Sequence, residues 1–197
     1  MTPALPDLLA EVRACVVCSA SLPLGPRPVV QLGARARILV IGQAPGRRVH
    51  ETSVPWDDAS GARLREWMGI EAPTFYDADR VALMPIGFCY PGVAKSGGDN
   101  PPRRECAPLW HERLRAHLTD VRLTLLVGSY AQNAYLKRAA GSSLTDAVRN
   151  FEKFLPEFLP LPHPSWRSTG WMRRNPWFES EALLMLRSRV AATLGEA

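Results

Sequence analysis

The sequence predicts an α/β fold: a three-layer α/β/α sandwich around a central four-stranded parallel sheet, in one domain over residues 1–197. Three observations carry that expectation. Short apolar runs such as ILVI and LTLLVG alternate with amphipathic segments, the pattern of strands buried on both faces. Those runs end in Gly- or Pro-containing turns, which punctuate strand and helix. A length of 197 residues, with 46% hydrophobic and 22% charged content, suffices for one sizeable core, and no repeat, low-complexity tract or linker interrupts it.

Taken in order, DLLAEVRAC reads as a short amphipathic helix with Leu8, Leu9 and Val12 on one face. ARILVIGQAPG gives a buried strand running into a tight turn. SGARLREWMGI is a helix with Ser60 as its expected N-cap and Gly69 near its end. RVALMPIGF holds a second strand, followed by the irregular CYPGVAKSGGDNPPRREC. APLWHERLRAHL is helical, with Leu109, Leu114 and Leu118 expected in the core. LTLLVGS is a third strand and leads into the helix YAQNAYLKRAA. FLPLPHPS is a fourth strand-like segment, and NPWFESEALLMLRSRVAATL is the closing helix.

Net charge is +5, from 24 basic and 19 acidic residues, which permits a polyanionic partner without requiring one. Its distribution says more. Arg47 and Arg48, Arg103 and Arg104, and Arg167, Arg173 and Arg174 fall in expected loops, where a ligand can reach them; solvated charge is the plainer alternative for each cluster. The longest apolar runs are too short to span a bilayer, so no membrane partner is expected. The N-terminus lacks the basic and apolar regions of a secretory signal, and a cytoplasmic location is the expectation.

That compartment disfavours disulfides among the four cysteines. Cys15 and Cys18 form C-x2-C, whereas Cys89 and Cys106 are separated by sixteen residues, unlike the two tight pairs of a zinc ribbon. By spacing alone, a [4Fe–4S] cluster, zinc and unliganded thiols all remain open.

In parallel α/β folds, ligands bind outside the carboxyl ends of the strands. Here that places GQAPG, IGFCYPG, GSYAQ and HPSWR at the site. GQAPG is neither a dinucleotide fingerprint nor a phosphate-binding P-loop, and alone it reads as a structural turn. Ser129 in GSYAQ is equally open to a helix-capping role. The stretch LPHPSWRSTGWMRRNPWF packs three of the six tryptophans and three arginines around His163, which two prolines flank.

Together these segments resemble the uracil-DNA glycosylase superfamily. GQAPG is similar to the GQDPY of family one and the GEAPG of family four. LLVGSYAQ resembles the LLWGSYAQ of family one, and HPSWR the HPSP loop of family one and the single-strand-selective branch. The cysteine arrangement is similar to that of the iron–sulfur families four and five. The resemblance runs, in order, from about residue 8 to residue 195.

What it implies is excision of a deaminated base, usually uracil, from single- or double-stranded DNA by a monomeric, monofunctional enzyme that flips the base into a pocket. By resemblance, His163 donates a hydrogen bond to the uracil O2 and stabilises the leaving base, and Trp56 in SVPWDDASG is the aromatic that stacks on it. Gly42, Ala44, Pro45 and Gly46 of the first turn, with Ser129, belong to the substrate pocket. Ser165, Trp166 and Arg167 face DNA, with Trp166 as the wedge; Trp171 and Trp177 are open to plain packing on the closing helix. Cys15, Cys18, Cys89 and Cys106 would hold a structural [4Fe–4S] cluster.

Departures from the family pattern matter as much. Ala44 stands where family one places a water-positioning aspartate, and Gln43 stands at the catalytic position of the family-four glutamate. Neither can act as a base, so Asp57 or Asp58 beside Trp56 is expected to activate water, with His50 and Glu51 nearby in sequence. Pro85 occupies the place of the asparagine that reads the uracil edge, which leaves recognition to backbone groups near Met84 to Phe88. Hypoxanthine or xanthine therefore stand as alternative substrates. A lesion-binding module that no longer cleaves is the alternative from outside enzymology.

Overall fold

The computed structural model describes residues 3–95, 97–136 and 142–195. Four strands, β1 (Ile38–Ile41), β2 (Val81–Leu83), β3 (Leu123–Val127) and β4 (Phe158–Leu161), form one sheet in the order β2-β1-β3-β4, with every neighbouring pair parallel. Around it lie α1 (Leu5–Arg13), α2 (Arg47–Thr52), α3 (Ala59–Met68), α4 (Ala72–Phe75), α5 (Cys106–Arg115), α6 (Ser129–Tyr135), α7 (Leu144–Arg149), α8 (Thr169–Arg174) and α9 (Leu183–Leu194).

The strands are apolar except for Thr124 because the sheet is covered on both faces. Successive side chains point to opposite faces. Ile38 and Val40 join Val81, Leu83 and Leu125 in a core completed by Leu64 and Trp67 of α3 and Leu186 and Val190 of α9. Leu39 and Ile41 join Ala82 and Leu126 in a second core with Leu8 and Val12 of α1 and Trp110 and Leu114 of α5. Two cores on two faces make the three-layer α/β/α sandwich that the alternating pattern predicts.

Local details differ from expectation for identifiable reasons. Asp58, not Ser60, caps α3: from an extended backbone its carboxylate accepts the Gly61 N–H at 2.8 Å, which places Ser60 inside the first turn. Gly69 ends that helix in the left-handed region, as predicted. Leu109 is exposed, and the buried stripe of α5 runs instead through Trp110 and Leu114, four residues apart. Helix α6 stops at Tyr135 and Leu136 is extended; the remaining residues of that expected helix, 137–140, lie outside the described residues. A π-helical turn at Phe178–Ala182 precedes α9. Helices α2, α4, α7 and α8 were not expected, since none exceeds six residues and so none offers two turns of periodicity. Among the described residues no helix is long and apolar enough to cross a membrane.

The strand order decides where a ligand can sit. From β1 the chain moves to one side to form β2, then returns across to β3 and β4 on the other. That reversal opens a crevice at the carboxyl ends of the strands.

Candidate active site

A cavity of about 450 Å³ occupies this crevice. It is lined by the turn after β1 (Gly42, Gln43, Ala44, Pro45 and Gly46), by Pro85 after β2, and by His163 and Ser165 after β4. Trp56 and Asp58 enter from the segment before α3, and Trp166 and Arg167 lie at its edge.

His163 is fixed from several directions. At the end of β4 the Leu161 carbonyl accepts the Gly128 N–H and the side-chain amide of the fully buried Gln132, both at 2.9 Å. The Ser168 hydroxyl donates to the His163 carbonyl at 2.5 Å, and the Arg63 guanidinium of α3 donates to the Ser165 carbonyl at 2.9 Å. Gly128, next to His163, has φ +85, a left-handed backbone that favours glycine at the end of β3. Burial pushes the His163 imidazole below its usual range, partly offset by the Asp58 carboxylate. The ring is therefore neutral at pH 7 and able to donate one hydrogen bond.

Trp56 stacks beside it, with ring centroids 5.9 Å apart and planes 29° from parallel. Its backbone is left-handed, with φ 59, a conformation that costs a bulky residue on the order of 1–3 kcal/mol. Two glycines hold it there. A β-carbon on Gly42 would come 2.7 Å from the indole Cζ2, and one on Gly61 would come 1.8 Å from the Trp56 carbonyl oxygen. The first motif and α3 are thus shaped around one strained aromatic residue.

The two adjacent aspartates separate. Asp58 lines the cavity with one oxygen committed to the cap of α3. Asp57 is not brought to the cavity: its carboxylate faces Arg48 at 3.6 Å. His50 and Glu51 also lie outside the lining, His50 buried in α2 and Glu51 paired with Arg47 at 3.0 Å. Ser129 is exposed at the start of α6, neither lining the cavity nor capping the helix.

An acid that sequence reasoning missed takes a place at the site. Asp99 lines the cavity from the loop between β2 and α5. Gln43 donates through its amide to the Asn100 carbonyl at 3.2 Å, tying that loop to the first motif. Gly98 has φ +86, and a β-carbon there would meet the Arg167 guanidinium at 2.5 Å, so the loop also packs beneath Arg167. No local signal could have singled out Asp99. It stands in an irregular stretch, and only the fold brings that stretch over the cavity.

Around Pro85 the structure narrows one expectation. The N–H groups of Met84, Ile86, Gly87 and Phe88 are all spent inside the protein, on Val40 O at 3.0 Å, Gly42 O at 2.9 Å, Gln43 O at 3.0 Å and Cys106 Sγ at 3.3 Å. They are not free to read a base. The Pro85 carbonyl is also engaged, accepting from His111 Nε2 at 3.0 Å, while His111 Nδ1 accepts the Tyr135 hydroxyl at 2.6 Å. Burial holds His111 down to about 4, so it remains the neutral tautomer that this arrangement needs. The N–H groups of Gln43 and Ala44, by contrast, have no partner among the described residues.

The tryptophans of the HPSWR region divide cleanly. Trp166 is 76% exposed, with the Arg167 guanidinium 5.6 Å from its ring centroid. Trp171 and Trp177 pack edge-on against each other and against Phe178, and Trp171 donates to Thr145 at 2.8 Å. Arg47, Arg48 and Arg103 face carboxylates. Arg167, Arg173 and Arg174 form no ion pair among the described residues and so leave positive charge around the exposed Trp166.

The four cysteines are free and half-buried, after α1, after β2 and at the start of α5. Burial pushes Cys89 up to about 11 and Cys106 up to about 12, and the other thiols lie near enough to add to both shifts. Among the described residues, no three His, Cys, Asp or Glu side chains are drawn tightly enough to hold a metal ion as they stand. The thiols converge without closing into a coordination cage.

Comparison with known proteins gives two findings. The family model described as the uracil DNA glycosylase superfamily matches residues 30–187. A solution NMR structure from Methanosarcina acetivorans, provisionally described as a uracil DNA glycosylase, is 15% identical, aligned over 82% of this chain and 98% of that chain, with a TM-score of 0.45.

Proposed function

The chain belongs to the uracil DNA glycosylase superfamily, and on that premise we propose that it excises uracil from DNA by hydrolysing the N-glycosidic bond, with no lyase step. The observation that carries this reading is the pairing of a neutral, braced His163 with the strained, stacked Trp56 in one cavity at the topological switch point. A flipped base needs a platform on one face and a fixed donor at its edge. Trp56 supplies the platform, and His163 donates to the oxygen where negative charge develops as the base leaves. The free N–H groups of Gln43 and Ala44 are suited to read an exocyclic oxygen. Ser165, Trp166 and Arg167 meet the strand, with Trp166 as the wedge that occupies the gap left by the flipped base.

Without an asparagine at Pro85, recognition rests on carbonyl acceptors that uracil, hypoxanthine and xanthine share. The test is therefore release of free base from single- and double-stranded oligonucleotides carrying each of the three. Uracil should be released fastest, and Trp166→Ala should slow excision more from duplex than from single strands, which need no wedge. Faster release of a purine would transfer the assignment to that base. Tight binding without release of any base would leave a lesion-binding module instead.

Cys15, Cys18, Cys89 and Cys106 are the proposed ligands of a structural [4Fe–4S] cluster. The donor set suits it: four free thiols with no disulfide, one of which already accepts a backbone N–H, as cluster-bound sulfurs do. Bound there, the group would tie α1 to α5 and to the chain after β2. Protein purified without air should be brown and carry about four irons per chain. Stoichiometric zinc would replace the cluster with zinc, and colourless, metal-free protein with full activity would overturn the assignment.

A further inference from the structure

Hydrolysis also needs a water and a base to take its proton, and the first motif, GQAPG, carries no carboxylate. At Gly46, two residues on from Ala44, lies a gap of a defined size. A β-carbon built on Gly46 would stand 3.7 Å from Asp58 Oδ2 and 3.7 Å from Asp99 Oδ2, and its next nearest neighbours are more distant. The two carboxylate oxygens thus flank one small space beside the first motif, open to the cavity that both residues line. Glycine leaves that space empty. Its φ of −77 is one that any residue adopts, so the missing side chain is not required by the backbone.

We propose that this gap seats the attacking water and that Asp99 is the general base that deprotonates it, with the second oxygen of Asp58 as the fixed acceptor that orients it. The inference rests on the glycosylase reading above. In the step, the water oxygen forms a bond to C1′ of the deoxyribose as the C1′–N bond breaks. The bonding pair leaves with the base, whose charge His163 stabilises, and the water proton passes to the Asp99 carboxylate. The products are an abasic sugar bearing the new hydroxyl and the free base, which regains a proton afterwards.

The two acids differ in a way that sorts their roles. Asp58 gives one oxygen to the cap of α3 and is held by that bond. Asp99 makes no side-chain hydrogen bond among the described residues, and burial together with the Asp58 charge lifts it above the usual carboxylate range. The Arg167 guanidinium opposes that shift, and the Tyr90 hydroxyl is the other titratable group close enough to feel Asp99. A carboxylate whose proton affinity is raised is the better proton acceptor near neutral pH.

The experiment is single-turnover excision from a uracil-containing single-stranded oligonucleotide by the full chain and three variants, with binding to an abasic-site analogue measured alongside. Asp99→Asn should lower the rate by about a hundredfold or more, because a positioned base typically contributes that much. Asp99→Glu should recover part of it. Gly46→Ala, whose methyl meets nothing closer than ordinary contact, should fold and bind normally. By occupying the gap it should lower the rate by about a hundredfold, the penalty of a displaced reacting group.

The wild-type rate should also fall toward acid as Asp99 takes up its proton, and Asp99→Asn should lose that limb while keeping whatever His163 contributes. A variant Asp99→Asn that retains most of the wild-type rate, or keeps the acid limb unchanged, overturns the inference and leaves the glycosylase reading standing. A wild-type protein that releases no base brings down both.

Discussion

His163→Ala is expected to lower the single-turnover rate of base release by about a hundred- to a thousandfold, the usual cost of removing one well-aimed donor from a sheltered site. The expectation is at the high end because no aspartate stands at Ala44 to share the charge stabilisation within the first motif. The leaving base gathers negative charge in the transition state, and His163 is aimed by Ser168 on its own carbonyl and by Arg63 on the carbonyl two residues on. Binding to an abasic-site analogue should survive, since Trp166 and the unpaired arginines are untouched.

The pH profile separates donor chemistry from mere packing. Burial lowers the His163 pKa from its ordinary value of 6.5, so the ring is neutral from pH 7 upward and does not titrate there. Activity should hold from neutral into mildly alkaline solution. On the acid side the sign reverses. The unfolded chain binds the proton first, so the stability contributed by a neutral, half-buried imidazole is present above about pH 6.5 and lost as pH falls through the depressed folded value. A His163→Ala protein with most of its single-turnover rate would reduce the loop to a DNA clamp.

Much of the fold was legible because its periodicities are long enough to read. Four apolar runs, each ending in a turn, fixed the strand count and the carboxyl-end location of the site before any distance was known. Short helices were missed because six residues carry too little pattern, and the α3 cap was misplaced by two because Asp58 and Ser60 both suit that role. In the site, motif residues were readable since chemistry and local backbone coincide: a histidine between prolines, glycines around a tryptophan. Asp99 was not, because its relevance depends on where Gln43 and Arg167 pin its loop, a contact between residues distant in sequence. The choice between Asp57 and Asp58 needed the direction of two side chains, which adjacent identical residues cannot reveal.

Trp56→Ala is expected to lower the single-turnover rate by about ten- to a hundredfold, since stacking of a base on an aromatic ring is worth about 1–3 kcal/mol. It should also lower stability, because nothing offsets the packing that is lost. Removing the indole deletes contacts with the core around β1 and α3, against which the ring packs. Alanine still bears a β-carbon at φ 59, so little of the backbone strain is relieved. Trp56→Phe keeps a platform and should restore most of the rate. Gly42→Ala tests the same element from the opposite side: a methyl 2.7 Å from the indole Cζ2 must push the ring across the cavity or off His163. If Trp56 stacks on the base, Gly42→Ala should mimic Trp56→Ala in rate, and the double variant should lose little more, because the platform can be lost only once. If Trp56 is only core, the losses should instead add, and they should appear in unfolding midpoints and not in the rate.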